Sequence, residues 1–446
     1  MYAFNAKTSL FFTIVCITLL FLPKINIITF TGRETAGIRT DDLVLLFFSI
    51  LLFWGHLSTR QKFSNIEKTL FTIVIFSLFS YASNRFLVKF DRLHVDANIL
   101  YAFRIFEYFL FFYVGYYAHR TFNLNKLVFF YFALNTMLMI LQKWGLLGYW
   151  GLYGYEATCV YRCAGIASFP SEMGMLLNLV FCYLLFKKEE ILASVKKFFF
   201  KNTLIFLMID TLYPFFLFLL TGALLTINGS RISFLAHVFI FCLYLITKTK
   251  YRILFFTITM FFSIILGVIF GQSSSLKNST LFARSAAIFS MKNIDLIEKV
   301  WLSIDTTEDP IGKESVKHNS KQEDTSWWMR IHKWLYALKI FVNHPEAYFQ
   351  GIGPGFAMAA LDGGTLRIFV EYGIIGTILF FSLFYQIANT SEPLKYCMIA
   401  FMINMIFIDV YLAYKPMALL FFITGYAYAE KIKHQDNTRE YLLTTN

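Results

Sequence analysis

Long apolar runs with few charges recur along almost the whole chain, and they constrain the fold more than any other feature of the sequence. A helix that crosses a bilayer needs roughly 20 mostly apolar residues. The runs are continuous and do not alternate between apolar and polar positions, so they predict helices rather than barrel strands. About twelve such runs are present: 8–24, 42–58, 68–84, 97–118, 126–143, 172–187, 202–226, 231–247, 252–271, 365–388, 395–412 and 415–430.

The composition supports a membrane location for these runs. Of the 446 residues, 57% are apolar and only 15% are charged, whereas a soluble domain has about a quarter of its residues charged. A soluble protein of this length would have no place to bury so much apolar surface. The first run is not followed by a small-residue cleavage site, so it is interpreted as a retained span rather than a signal peptide. The sequence therefore predicts an all-α polytopic membrane protein.

The distribution of charge predicts how the chain is oriented in the membrane. A net charge of +12 could indicate a nucleic-acid partner, but Lys and Arg gather in alternate loops, which is the positive-inside pattern. We therefore expect no nucleic-acid partner and place both termini in the cytoplasm. The residues assigned to the inner side are Lys7, Arg60, Lys62, Arg120, Lys126, Lys187, Lys188, Lys196, Lys197, Lys201, Lys248, Lys250, Arg252, Lys431, Lys433 and Arg439.

This topology divides the chain into four segments. Residues 1–271 hold nine predicted spans, 272–364 form a large outer loop, 365–430 hold three further spans, and 431–446 form a cytoplasmic tail. A loop of this length can be translocated whatever its charge.

The large outer loop is predicted to be partly helical. Residues 281–300 and 326–343 have helical periodicity, and the polar stretch 303–324 between them is expected at the surface. An amphipathic helix rich in Trp commonly lies against a membrane interface or on neighbouring spans, so the loop is expected to fold back as a cap over the outer face. The apolar stripe that predicts this consists of Trp327, Trp328, Ile331, Trp334, Leu335 and Leu338.

The cysteines indicate neither a metal site nor a cofactor. Four of them lie in apolar runs and are interpreted as packing residues. Cys159 and Cys163 lie in an outer loop, where an oxidising exterior would allow a disulfide, although three intervening residues would make a small, strained ring. The sequence leaves both alternatives open. No Cys and His pattern typical of metal binding is present.

A cluster of glycines and charges follows the large loop, in residues 351–376. The glycine run Gly351–Gly355 lacks the Lys-Ser/Thr ending and the preceding strand of a nucleotide-binding loop, and it predicts a tight turn back into the membrane. Arg367 and Glu371 are four residues apart on one helix face, so they either pair or serve a functional cavity. Asp362 is either a helix cap, which its chemistry favours, or a general base.

Five arginines are predicted on or near the outer side of the membrane. Guanidinium groups bind phosphate bidentately and keep their charge at any relevant pH. Several of them around a cavity at headgroup depth suit a lipid diphosphate, either as a clamp or as stabilisers of a leaving group. The alternative for Arg231 is an interfacial anchor that reaches to water. The five residues are Arg162, Arg231, Arg284, Arg330 and Arg367.

These features together resemble the bacterial O-antigen polymerase and ligase superfamily. The resemblance implies a GT-C-like glycosyltransferase with a periplasmic loop, which moves a glycan from undecaprenyl diphosphate without a metal, nucleotide sugar or other cofactor. The segments that carry it are Arg162–Pro170, Gly229-Ser230-Arg231, Trp328-Met329-Arg330 with Trp334 and Pro345, Gly351–Gly355, and Asp362–Gly376.

One departure from the family pattern favours the polymerase branch. Ligases commonly have a His-Asn pair four residues before the position of Leu366, where this chain has Asp362. The resemblance then makes Asp362, and after it Glu371, the candidate that orients or deprotonates the acceptor. It makes Arg231 and Arg330 the first candidates for binding diphosphate. The implied partners are undecaprenyl-diphosphate-linked glycans, membrane lipids of the inner membrane and, by family analogy, a chain-length regulator.

Three alternatives remain open from the sequence. A ligase would use the same donor and transfer the glycan to lipid A–core. Another lipid-sugar-dependent glycosyltransferase would use an acidic pair in its first outer loop, for which Asp41-Asp42 is a candidate. A flippase would belong to a different class, and it predicts charges within the spans and two related halves.

Overall fold

The computed structural model describes residues 26–30, 33–39, 63–84, 98–148, 162–199, 203–248, 292–304, 325–356 and 361–444, together with a few positions between 15 and 47. Within these ranges the chain is predominantly helical. A short antiparallel hairpin, β1 (Asn26–Phe30) and β2 (Arg33–Arg39), lies between the first two predicted spans, and the apolar pattern did not predict it.

The helices are named in chain order. They are α1 (Asn65–Ser83), α2 (Asn98–Ala118), α3 (Leu124–Lys143), α4 (Pro170–Phe186), α5 (Lys188–Phe199), α6 (Thr203–Asn228), α7 (Arg231–Lys248), α8 (Lys292–Ser303), α9 (Thr325–Asn343), α10 (Gly364–Ala388), α11 (Glu392–Met405) and α12 (Tyr414–Thr444). Two short 3-10 helices, Pro345–Ala347 and Val410–Leu412, lie between them.

Five of the described helices are long and apolar enough to cross a membrane: α1, α3, the Ile209–Asn228 part of α6, α7 and α10. This agrees with the predicted class of helical membrane protein, while the total of twelve spans and the GT-C-like fold stay predictions. Nine of the twelve predicted runs coincide with described helices. The runs 8–24, 42–58 and 252–271 lie mostly or wholly outside the described residues.

The predicted span 395–412 is wrong in its extent, whereas 365–388 coincides with α10 but contains a kink. The run 395–412 is helical only to Met405, after which the chain turns through a 3-10 helix before α12 begins. The run 365–388 is interrupted at Gly373, whose φ of 62° and ψ of −165° are not helical. Both breaks interrupt apolar sequence, so the apolar pattern alone could not reveal them.

The helix termini define two ends of the bundle. The loop end holds the first residues of α4, α7, α10 and α12 and the last residues of α1, α3, α6 and α11. Long-range hydrogen bonds join them there: Gln142 to Gly165, Asn228 to Cys163, Asn84 to Gly351, Ser233 to Asn404, and Lys415 N–H to Glu172.

The opposite end, here called the lysine end, carries much of the described positive charge. Contacts between helices define it, including Asn125 with Glu190, Lys188 with Asp210, and Lys248 with Glu392. Its basic residues include Arg120, Lys126, Lys187, Lys188, Lys248, Lys395, Lys431 and Lys433.

Helices α2 and α12 approach each other closely at two glycines. A Cβ atom added to Gly115 would lie 2.0 Å from the Phe422 carbonyl oxygen, and one added to Gly425 would lie 1.9 Å from that of Phe112. Small residues let membrane helices pack backbone against backbone in this way. Aromatic rings fill the flanking space, as where Phe109 meets Phe421 edge to face.

The described part of the large loop has a small apolar core of its own. Tyr336, Ile340 and Phe341 of α9 pack with Ile352 of the glycine run and Val370 of α10. The indole N–H of Trp334 also donates to the carbonyl of Leu361 at 3.1 Å. This arrangement agrees with the expected cap at the loop end. The side chains of Trp327 and Trp328 lie outside the described part.

Candidate functional site

The break in α10 is filled by the segment that follows the 3-10 helix of the loop. Helix interruption at Gly373 frees main-chain groups, and unpaired main-chain groups are costly where water is excluded. Residues 348–353 run alongside and satisfy them from both directions. The bonds are Ile352 N–H to Val370 O at 2.8 Å, Gly353 N–H to Glu371 O at 2.9 Å, Ile374 N–H to Tyr348 O at 2.9 Å and Ile375 N–H to Phe349 O at 3.3 Å.

Two glycines make this close approach sterically possible. A Cβ atom on Gly351 would lie 2.2 Å from the Glu371 carbonyl oxygen, and one on Gly373 would lie 2.6 Å from Gly351 N. Both residues have positive φ. The glycine run was predicted as a turn back into the membrane, and the structure shows that it is hydrogen-bonded to residues of α10 that lie 18 positions further along the chain.

Helix α1 secures the same segment from its other side. The Ser80 hydroxyl donates to the Gln350 carbonyl at 2.6 Å, and the Asn84 amide donates to the Gly351 carbonyl at 3.1 Å. Both side chains are buried. The loop, α1 and α10 are therefore held as one hydrogen-bonded unit.

A buried charge cluster lies immediately before this break. Arg367 Nε is 2.9 Å from Glu371 Oε1, so of the two alternatives that the sequence left open the ion pair is present, and Arg367 Nη1 is 2.9 Å from Asp409 Oδ2. The three side chains are only 0%, 1% and 8% exposed. Tyr411 O–H donates to Glu371 at 3.2 Å, and the guanidinium lies over the ring of Tyr101. These contacts favour a structural role for Arg367 and Glu371.

Asp409 is the residue of this site that sequence reasoning missed, because it lay inside the predicted span 395–412. Its carboxylate accepts three main-chain N–H groups, from Leu361 at 2.7 Å, Asp362 at 3.3 Å and Gly363 at 3.0 Å. One signal could have revealed it, since an ionisable residue within an apolar run is commonly functional.

Asp362 does not cap α10. Helix α10 begins after Gly363, which makes no side-chain capping bond. Asp409, from the connection between α11 and α12, supplies the acceptor for the N–H groups before the helix. The capping prediction for Asp362 is therefore wrong, and its carboxylate is left for another role.

Asp362 stands in an unusual backbone conformation. Its φ of 59° makes it the one non-glycine residue with positive φ in the described ranges. The side chain is 35% exposed, and its Oδ2 lies 3.6 Å from Arg330 Nε. Partial burial raises the pKa of Asp362, while Arg330, Lys333 and Arg367 lower it and Asp409 raises it further. The net effect is a pKa above the usual value.

Arg330 projects from α9 toward this carboxylate without a tight bond to it. A separation of 3.6 Å is longer than a good N–H···O hydrogen bond, and Arg330 Nε has no hydrogen-bond partner among the residues that the structure describes. The side chain is 22% exposed. This guanidinium can therefore take an anionic ligand without first giving up a strong partner.

Arg162 and Arg231 are brought to a second part of the loop end. The N–H of Cys163 donates to Ile227 O at 3.2 Å, and the Asn228 amide donates to Cys163 O at 2.7 Å. These bonds place the segment 162–169 beside the turn before α7, of which Arg231 is the first residue. Both arginines are half-buried.

The connection between α11 and α12 joins the two groups of arginines. Ser233 of α7 donates to Asn404 at 2.7 Å, and the buried carboxylate of Glu172 accepts from the N–H of Lys415 at 2.8 Å. Asp409 and Tyr411 lie between those two contacts and bind the Arg367 cluster. Four of the five predicted arginines thus lie at the loop end. Arg284, Cys159 and the Asp41-Asp42 pair lie outside the described residues.

The described residues define a helical membrane protein with four arginines at one end of its bundle. Within the described ranges, no group of three or more His, Cys, Asp or Glu side chains could hold a metal ion. No known family model matches the chain, and no curated protein matches it significantly.

Proposed function

We propose that this protein is a bacterial O-antigen polymerase that joins undecaprenyl-diphosphate-linked repeat units at the periplasmic face of the inner membrane. The observation that carries the proposal is the Arg330–Asp362 pair at the loop end of the helical bundle, in which a loosely held cation lies beside a carboxylate with a raised pKa. A cation for a diphosphate and a base for a hydroxyl are the two groups that metal-independent glycosyl transfer requires.

The proposed orientation follows from the distribution of basic residues. The lysine end would face the cytoplasm, as the positive-inside rule predicts. The loop end, with the cap and four arginines, would then face the periplasm. Both chain termini would be cytoplasmic.

The proposed reaction is an inverting displacement. A sugar hydroxyl of the incoming repeat unit attacks the anomeric carbon of the growing chain, and Asp362 accepts the hydroxyl proton. The bond between the anomeric carbon and the diphosphate oxygen breaks, and undecaprenyl diphosphate leaves with the bonding electrons. Arg330, with Arg231 and Arg162, neutralises the charge that develops on the diphosphate.

The other two candidates, Arg367 and Glu371, have a structural role in the proposed mechanism. Arg367 could bind diphosphate only by leaving two carboxylates inside a fully buried cluster. Glu371 is likewise occupied by Arg367 and Tyr411. In this mechanism they fix the start of α10 and do not touch the substrate.

Replacement of Arg330 with alanine should abolish long-chain polysaccharide. Loss of one preorganised donor to a developing anion typically costs about 10²–10³ in rate. The measurement is a lipopolysaccharide gel from a deletion strain that carries the variant gene. Arg120→Ala, a cation of the lysine end, is the matched control and should retain the full ladder. A normal ladder from well-expressed Arg330→Ala would exclude the proposed role.

The deletion strain itself separates the alternatives. A polymerase null retains lipopolysaccharide with a single repeat unit, whereas a ligase null has no repeat unit on its core. A flippase is excluded if the purified protein lengthens lipid-linked glycans without a second protein. The substrate for that assay can be extracted from the deletion strain.

Transfer should also fall at acidic pH, because the proposed base must be ionised. The pKa of Asp362 is raised by partial burial, so its protonation on lowering the pH begins above the range of an ordinary Asp. We expect the acidic limb of the rate profile to have its midpoint above the ordinary Asp pKa. Asp362→Asn should lower the rate about 10²–10⁴-fold above that midpoint, and the difference from wild type should shrink below it. Lengthening of extracted lipid-linked glycans by purified protein measures both. Glu346→Gln, an exposed carboxylate of the cap, should leave the profile unchanged.

A further inference from the structure

The carboxylate of Asp409 binds the main chain on both sides of Asp362. Its Oδ2 accepts from Leu361 N–H at 2.7 Å and from Asp362 N–H at 3.3 Å, and its Oδ1 accepts from Gly363 N–H at 3.0 Å. Successive main-chain N–H groups that converge on one anion form a concave nest. Here the anion comes from a different part of the same chain.

The middle residue of this nest is Asp362, the one non-glycine residue with a left-handed backbone in the described part of the chain. The φ of Asp362 is 59°, a conformation that L-residues seldom adopt and that persists only where the surroundings fix it. Asp409 supplies that fixation directly through the N–H of Asp362 and those of its two neighbours. Arg367 in turn holds Asp409 at 2.9 Å.

We propose that Asp409 is a positioning residue for Asp362. Its carboxylate fixes the turn at residues 361–363, and this turn places the Asp362 carboxylate next to Arg330. The negative charge of Asp409 also opposes ionisation of the Asp362 carboxyl group, which the surrounding cations favour. The inference rests on the proposed function in one respect, because it takes Asp362 to be the base of the proposed reaction.

The charges around Asp362 make the electrostatic part testable. Arg330 and Lys333 face it from α9, and Arg367 faces it from α10, and all three favour its ionised form. Asp409 faces it from the connection between α11 and α12 and opposes ionisation. Neutralising Asp409 should therefore lower the pKa of Asp362, and the cation of Arg367, relieved of one carboxylate, acts in the same direction.

Two variants separate charge from geometry. Asp409→Asn removes the charge and replaces one acceptor oxygen with an N–H donor, which cannot accept from the main chain. Asp409→Glu keeps the charge beside Arg367 but displaces the carboxylate from the nest. We expect Asp409→Asn to shift the titration of Asp362 to lower pH. We expect Asp409→Glu to keep that titration near the wild-type midpoint and yet to slow transfer at least tenfold.

The first readout needs no enzymatic activity. The protein is labelled with ¹³C-aspartate and placed in lipid nanodiscs. The protonation of its carboxyl groups is then followed by infrared spectroscopy as the pH is changed. The band of Asp362 is the one that is absent in Asp362→Asn. A lower midpoint in Asp409→Asn than in wild type, with no change in Glu346→Gln, is the expected result. An unchanged midpoint in folded Asp409→Asn would overturn the inference.

The second readout is glycan lengthening, with lipid-linked repeat units extracted from the deletion strain. If Asp409→Asn does not fold, Asp409→Glu decides, because wild-type transfer in that variant contradicts positioning by the nest. A wild-type protein that lengthens no glycan, together with a shifted Asp362 midpoint, would refute the proposed function and still support the electrostatic coupling of Asp409 to Asp362.

Discussion

Replacement of Gly373 with alanine is expected to prevent the folded protein from accumulating. The added Cβ would lie 2.6 Å from Gly351 N and from the carbonyl group of Phe349, well inside the 3.0 Å that real Cβ atoms keep. The φ of 62° with ψ of −165° is in addition a region that glycine alone adopts readily. Relief of the clash would separate the loop from α10 and break the hydrogen bonds that fill the helix break. We expect a loss of at least about 3 kcal/mol.

Fluorescence-detected size-exclusion chromatography of a tagged protein in detergent, followed by thermal melting, measures this effect. Gly222→Ala is the matched control, because a Cβ there meets nothing closer than 3.7 Å in the middle of α6. Alanine favours a helix over glycine, so the control should melt at or above the wild-type temperature. Gly351→Ala should fail in the same way as Gly373→Ala. A wild-type melting temperature for Gly373→Ala would show that the helix break is not required for folding.

Replacement of Arg367 with alanine is expected to have an effect of similar size by a different physical route. The guanidinium is fully buried between Glu371 and Asp409. Its removal leaves two carboxylates without their cation in a site that excludes water, and such a change typically costs about 3–5 kcal/mol. The Tyr411 hydroxyl and the N–H groups before α10 compensate only in part.

The exposed pair between Lys248 and Glu392 provides the control. Its atoms are 2.7 Å apart, so the geometry is as good, but the side chains are 41% and 49% exposed at the lysine end. Surface pairs of this kind contribute about 0–1 kcal/mol, so Lys248→Ala should scarcely change the melting temperature. A double-mutant cycle of Arg367→Ala and Glu371→Gln measures the coupling directly. Equal effects of Arg367→Ala and Lys248→Ala would contradict the importance of burial.

Periodicity predicted the elements that are regular over their whole length. The stretch 326–343 was predicted as a helix, and α9 spans Thr325–Asn343. The four-residue spacing of Arg367 and Glu371 likewise placed them on one face of a helix and offered an ion pair as one of two alternatives, and the pair is present. In both cases the pattern lies within a few neighbouring residues, so the helix and the shared helix face can be predicted from a single sequence.

The remaining parts of the site depend on contacts between distant segments. The break at Gly373 is stable because residues 348–353 supply its hydrogen bonds, and apolar periodicity contains no trace of that pairing. Asp409 is in the site because α11 ends at Met405, within a sequence as apolar as the spans. A glycine between two hydrophobic halves of a span and an acidic residue inside a run were the available signals, and each has several explanations when taken alone.

The hydrogen bonds between residues 348–353 and α10 also restrict how the described part of the large loop can move. They run from the cap to both halves of a helix that is long and apolar enough to cross the membrane. If residues 348–353 moved away from α10, all four hydrogen bonds would break and the main-chain groups around Gly373 would lose their partners. Residues 348–353 are therefore fixed to both halves of α10, and under the proposed function the lipid-linked glycans would reach the site from the side, without movement of this segment.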